Sequence, residues 1–290
     1  MPDSDSLITR MHALLDRLER LLPADGPAAV PDAAALRWHA DRPGRGLRLL
    51  PHAGGARLDQ LQCVDRQKAV LERNTRQFLA GLPANHALLW GPRGTGKSSL
   101  VRALFLAHRD EGLRLVDVAQ RHLADLQEIC ALLGGARGRF LVFCDDLSFA
   151  ADDDSFRALK SVVDGSAAAL PDNVLIYATS NRRHLIPEYM QENLASHIED
   201  GELHLSEAAE EKLSLSERFG IWVAFHPFTQ EQYLHIVGYW VRELAPRAAA
   251  DAAAMERAAL QWALERGTRS GRSAWQFARD WAGRNQLKPA

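Results

Sequence analysis

Cysteine is scarce in this chain: Cys63, Cys130 and Cys144 are three among 290 residues, far apart and never paired as Cys-x-x-Cys. An odd, dispersed set argues against both a disulfide framework and a zinc site and suits a reduced, cytosolic setting. Long apolar runs are missing as well, none approaching the roughly 18 residues that would cross a bilayer. Residues 1–6 carry Asp3 and Asp5 and lack a basic stretch followed by an apolar one, so no signal peptide is expected. Neither sign of charge is in excess, since 35 Lys and Arg stand against 37 Asp and Glu for a formal net charge of -2. No global positive field draws in nucleic acid or anionic membrane, and such binding needs a local patch. Internal repeats are absent, and the alanine enrichment of 248–254 is good helix former.

What is present is an ordinary globular composition, 47% hydrophobic and 25% charged, which rules out disorder and collagen-like fibres. The length suits one large unit, or one medium unit with a small appendage. Residues 7–22 place Leu7, Met11, Leu14, Leu18 and Leu21 on one side of an amphipathic helix, either packed on its own core or used for self-association. A Pro/Gly/Ala-rich connector, broken by a short stretch around Leu36 to Ala40, completes an N-terminal extension over 1–57. A helix is expected from Asp59 to about Leu79. Apolar runs at Ala87–Trp90, Leu113–Val118, Phe140–Cys144, Val174–Ala178 and Ile221–Phe225 then alternate with helical patterns, which predicts a parallel α/β sheet over 58–228. Three helices, Gln230–Leu244, Asp251–Arg266 and one starting with Ser273 as N-cap, form a small appendage over 229–290.

The strongest signal is Gly91-Pro92-Arg93-Gly94-Thr95-Gly96-Lys97-Ser98, a complete G-x-x-x-x-G-K-[ST] between a predicted strand and the helix opened by Ser98, Ser99 and Leu100. Glycines let the backbone curl so that successive N–H groups and the helix N-terminus face an anion. Lys97 is placed to hold the β and γ phosphates of ATP, and the Ser98 hydroxyl to ligate Mg²⁺. The glycines at 134–138 read as a plain turn.

The run Phe140-Leu141-Val142-Phe143-Cys144 ends in Asp145-Asp146, the Walker B layout. A parallel strand buried on both faces presents polar groups only at its C-terminal end, where ligands bind in open α/β sheets. Asp145 is expected to hold Mg²⁺ and Asp146 to orient or deprotonate the attacking water. The carboxylates at 152–154 are read instead as capping the helix from Ser155 to Val163.

With these motifs in this order the chain resembles an AAA+ ATPase. More narrowly, Asp65-Arg66-Gln67, Asn74-Thr75, the phosphate loop, Cys144-Asp145-Asp146-Leu147-Ser148-Phe149, Thr179-Ser180-Asn181-Arg182-Arg183-His184 and Arg218-Phe219-Gly220 resemble a bacterial family of AAA+ ATPases, domain-of-unknown-function family 815. The resemblance runs from about Leu58 to the C-terminus and implies a P-loop NTPase sheet flanked by helices, a C-terminal helical lid and an N-terminal helical extension. It assigns Asn181 to sensor 1, Arg218 to the arginine finger and Arg272 to sensor 2 of the lid. Arg183 competes for the finger role and Arg269 for the lid sensor. A finger supplied in trans implies an ATP-promoted homo-oligomer, of hexameric type.

Asp145-Asp146 departs from the usual Asp-Glu of that superfamily and resembles the replication-initiator and helicase-loader branch. The shorter base implies slow hydrolysis. The function expected is a cytoplasmic ATPase that remodels or assembles an unidentified protein or nucleic-acid client, with no membrane partner. Its rivals are a DNA-associated initiator-like ATP switch and a small-molecule P-loop kinase. The basic residues from Arg266 to Lys288 read as a solvated helix face, and Trp240, Trp262, Trp275 and Trp281 as lid core. The segment 187–213, with His197 and His204, reads as a helix and loop facing substrate or a neighbour, since two histidines alone do not specify a metal.

Overall fold

The structure is a computed structural model and describes residues 11, 30–40, 45–148, 154–163, 170–181, 198–199, 202–203, 218–246 and 251–286. The expected amphipathic helix at 7–22 lies outside these residues apart from Met11, which is helical and exposed. Most of 187–213 and Arg183 lie outside them too.

Among the described residues seven strands form one sheet: β1 (Ala35–His39), β2 (Gly46–Leu49), β3 (Ala87–Trp90), β4 (Leu113–Val118), β5 (Arg139–Leu147), β6 (Val174–Ser180) and β9 (Ile221–Ala224), with β7 (Ile198–Glu199) and β8 (Glu202–Leu203) as a separate hairpin. The spatial order is β2-β1-β4-β5-β6-β3-β9. All pairings in this sheet are parallel except β1 with β2. The five expected strands are all present. The short stretch around Leu36, read from sequence as an interruption in an irregular connector, is instead a strand paired with β4. Its apolar alternation is too brief to stand out, and it is held by an ion pair remote in sequence: Arg37 donates to the buried Asp117 of β4 through Nε at 3.2 Å and Nη2 at 2.6 Å.

Helices cover both faces. On one side lie α1 (Asp65–Leu79) and α2 (Lys97–His108); on the other lie α3 (Leu126–Gly134) and α4 (Asp154–Val163). The period-2 alternation of strand side chains divides the core accordingly. Leu89, Leu115, Leu141, Phe143 and Tyr177 face α1 and α2, whereas Leu88, Val116, Phe140, Val142 and Ile176 face α3 and α4. The Tyr177 hydroxyl would be costly to bury unpaired. Asn74 donates to it at 3.0 Å, and Thr75 Oγ1 lies 3.0 Å away, which ties α1 to the middle of β6. Burial raises the Tyr177 pKa.

The C-terminal helices are α5 (Gln230–Leu244), α6 (Ala252–Glu265) and α7 (Gly271–Gln286). Thr229 and Gln232 form a reciprocal capping box on α5, and Asp251 caps α6 by accepting from the Ala254 N–H at 2.9 Å. The third helix begins two residues before the expected Ser273. Ser270, not Ser273, supplies the cap, its Oγ accepting from the Ser273 N–H at 3.1 Å. Either serine precedes an apolar helical pattern; packing of Ser270 against the phosphate loop decides between them. Trp240 meets Trp275 edge-on at 4.5 Å, and Phe277 bridges Trp262 and Trp281. Tyr233, Ile236, Val237 and Phe277 of these helices share one apolar cluster with Leu89 of β3, Leu104 of α2 and Phe225 just after β9.

Candidate functional site

The phosphate loop joins β3 to α2 at the C-terminal end of the sheet. Gly91 has φ +140, and a Cβ there would lie 2.0 Å from the Phe225 carbonyl oxygen, so only glycine permits this close approach to the strand end of β9. Thr95 Oγ1 donates to the Pro92 carbonyl at 2.8 Å, closing the loop on itself. Lys97, the first residue of α2, is buried, and its Nζ donates to the Gly91 and Pro92 carbonyls at 2.5 and 2.8 Å and to Asn181 Oδ1 at 3.1 Å. Burial lowers its pKa from 10.5 to about 8, against the opposing pull of Asp146 and Asp145 and with help from Arg93.

The two carboxylates stand at the end of β5, beside this lysine. Asp145 Oδ1 accepts from Ser98 Oγ at 2.6 Å and from Thr179 Oγ1 at 2.6 Å. The Asp146 N–H donates to Thr179 Oγ1 at 2.8 Å, Asn181 Nδ2 donates to Asp146 Oδ1, and Arg93 Nη2 lies 3.5 Å from Asp146 Oδ2. Lys97, Asn181, Asp146 and Arg93 therefore form one chain of polar contacts across the mouth of the loop. Among the described residues no cluster of three His, Cys, Asp or Glu gathers to hold a metal. The oxygen donors fitted to Mg²⁺ are the Ser98 hydroxyl and the Asp145 carboxylate, hard ligands in direct contact with one another. The loop, the buried ammonium and this oxygen pair fit a magnesium-bound nucleoside triphosphate.

The structure thus brings together Gly91, Pro92, Arg93, Gly94, Thr95, Gly96, Lys97 and Ser98 with Asp145, Asp146 and Asn181; Ser99 continues α2. Arg272 is exposed in the first turn of α7, and its Cβ is 3.7 Å from where a Cβ on Gly94 would stand. Its rival Arg269 lines a groove of about 610 Å³ among the C-terminal helices with Gln230 and Leu264. Arg218 is exposed and precedes β9, whose first residue Ile221 pairs with Ala87 at the start of β3. Its entry point is consequently at the opposite end of the sheet from the phosphate loop of its own chain.

Sequence reasoning missed two participants, Thr179 and Ser270. Ser270 belongs to no motif, and Thr179 stands in the Thr179-Ser180-Asn181 stretch without a part of its own there; their roles come from a helix end and a bulge respectively. Ser270 is buried, and its Cβ lies 2.7 Å from the position a Gly94 Cβ would take.

Residues 31–285 match the family described as "Protein of unknown function (DUF815)". The chain belongs to the DUF815 family. The match takes in β1 and β2, upstream of the Leu58 at which the sequence resemblance was read to begin. No curated protein matches the chain. Among solved structures, a proline-to-glycine mutant of Thermotoga maritima RuvB is similar at TM-score 0.50 and 16% identity, over 77% of this chain and 64% of that one. A threonine-to-valine mutant of the same protein gives TM-score 0.44 at 15% identity, covering 80% of this chain and 72% of the mutant. The Aeropyrum pernix Orc1 protein in complex with DNA gives 0.44 at 16%, covering 80% and 68%. With the strand order and the phosphate loop between β3 and α2, the likeness at TM-score 0.50 gives this DUF815 chain an α/β P-loop fold. No helix among the described residues is long and apolar enough to cross a membrane.

Proposed function

We propose that this DUF815 protein is an AAA+ ATPase that binds ATP with Mg²⁺ and hydrolyses it to drive assembly or remodelling of a client. The observation that carries the reading is the polar chain from Lys97 through Asn181 to Asp146, lying beside the Ser98–Asp145 pair at the mouth of the loop. Phosphoryl transfer needs charge neutralised on the phosphates and a water held in line, and these are the groups that do both.

In this mechanism the N–H groups from Gly94 to Ser98 and the start of α2 receive phosphate oxygens. Lys97 turns its ammonium from the loop carbonyls to the β and γ phosphates. Ser98 and Asp145 would hold Mg²⁺, which when bound would neutralise charge developing on the phosphate oxygens. Asp146, positioned through Asn181, accepts a proton from the attacking water. Aspartate reaches one methylene less than glutamate, which fits slow turnover suited to a switch. Arg218, entering at the far end of the sheet, serves the site of a neighbouring subunit, and ATP therefore promotes a homo-oligomer. Arg272 reports nucleotide state to the lid helices.

Phosphate release with ATP·Mg²⁺ and no added acceptor tests this reading against a small-molecule kinase, which requires the acceptor. Lys97→Ala and Asp146→Asn should each abolish the release, and turnover in either variant would reject the assignment. A DNA affinity falling steeply with salt would instead favour the initiator-like switch.

A further inference from the structure

The ladder between β5 and β6 is irregular at the site. Cys144 faces Ala178 and Leu147 faces Ser180, so that Asp145 and Asp146 together stand against the single residue Thr179. This two-against-one arrangement is a β-bulge, which bends a strand and re-aims its side chains. Asp146 takes φ +55, a left-handed conformation that costs most residues with a Cβ about 1 kcal/mol or more and that aspartate adopts where hydrogen bonds support it locally. Something must hold it there. Thr179 is 1% exposed, and its hydroxyl touches both acidic residues at once. It accepts from the Asp146 N–H at 2.8 Å and donates to Asp145 Oδ1 at 2.6 Å. The direction is forced, because an amide can only donate and an ionised carboxylate can only accept.

We propose that Thr179 is a positioning residue for hydrolysis, one hydroxyl that sets both carboxylates. Its proton, together with that of Ser98, engages one oxygen of Asp145 and orients the other for the cation. Its lone pair holds the bulge and keeps the Asp146 carboxylate on the Asn181 and Arg93 side of the site. Without it the ladder can relax toward regular pairing, and a shift of one residue turns a strand side chain to the other face. This inference rests on the ATPase reading of the same site.

Thr179→Val keeps the branched shape at a buried strand position and removes only the hydroxyl, and Thr179→Ser keeps the hydroxyl. The test measures phosphate release as a function of ATP and of Mg²⁺, with nucleotide binding in EDTA as the count of folded sites. The valine variant should lose about tenfold or more in kcat with KM for ATP changed by less than about threefold, the pattern of a lost transition-state interaction. The Mg²⁺ concentration for half-maximal rate should rise several-fold, and serine should restore both. A valine variant with wild-type kcat and Mg²⁺ dependence per folded site, whatever its thermal stability, would overturn the proposal for Thr179 alone. A wild-type protein that binds nucleotide but releases no phosphate would instead overturn the ATPase reading and the role of Thr179 with it.

Discussion

The backbone N–H of Gly271 donates to the carbonyl of Gly94 at 2.8 Å, so the last helix of the chain starts on the phosphate loop itself. Ser270 fills the space where Gly94 has no side chain, and caps the same helix through its Oγ. A shift of the loop on nucleotide binding must therefore move the N-terminus of α7 or break this contact. On the proposed reading, bound phosphates would be coupled to the C-terminal helices through this main-chain contact as well as through Arg272.

Gly94→Ala tests that coupling. Gly94 has φ +76, where an alanine costs about 1 kcal/mol or more, and its Cβ would also meet Ser270 Cβ at 2.7 Å. We expect a lower Tm and a nucleotide affinity weakened by about tenfold, with α7 displaced from the loop. Ser270→Gly in the same chain should recover part of the affinity by removing the opposing Cβ, although the cap is lost at a cost of a few tenths of a kcal/mol. Isothermal titration of ADP into the two variants and the double variant checks this, and additive losses would disprove the contact.

The position of Arg218 just before β9, away from its own loop, makes a direct prediction for mixtures. Arg218→Ala and Asp146→Asn should each be inactive alone. Mixed in the presence of ATP, a subunit with Asp146 intact receives the arginine of its Asp146→Asn neighbour, and phosphate release should return. Light-scattering mass should rise with ATP in the Asp146→Asn protein. A mixture as inactive as its components would remove Arg218 from the finger role.

The α/β sheet and the residues around the loop were legible in the sequence because each rests on a local pattern. Continuous apolar runs mark strands buried on both faces, and Gly91 to Ser98 and Asp145-Asp146 sit next to such runs. What was illegible depends on contacts between distant residues. Strand β1 is stabilised by Arg37 with Asp117, 80 positions apart. Thr179 acquires its part only because β5 carries one residue more than β6 across the bulge. The choice of Ser270 over Ser273 as a cap follows from the fit against Gly94, which no helical pattern encodes.

His86 gives a stability prediction. Its Nδ1 accepts from the Ile176 N–H at 3.2 Å, and burial lowers its pKa from 6.5 to about 4. Between these two values the unfolded chain binds a proton that the folded chain refuses. Stability is therefore full above pH 6.5 and falls on acidification toward pH 4, by up to about 1.4 kcal/mol per pH unit. In His86→Asn the amide oxygen can take over as acceptor without titrating. Urea unfolding of the variant should show a shallower acid limb than wild type over that window, and parallel limbs would refute the assignment.

Lys97 links protons to nucleotide. In the free protein burial brings its pKa to about 8, whereas a polyphosphate within reach favours the charged form and raises it. Only the ammonium makes the charge-assisted contact, so binding above pH 8 must draw a proton from solution. Affinity for ATP should be level just below pH 8 and fall at higher pH, approaching about tenfold per unit. Calorimetry in buffers of different ionisation enthalpy should report net proton uptake rising through pH 8 to 9. Lys97→Arg, whose guanidinium stays charged, should bind more weakly because its planar fork does not fit a site built for a point charge, but without the pH dependence. The same slope in the arginine variant would assign the titration to another group.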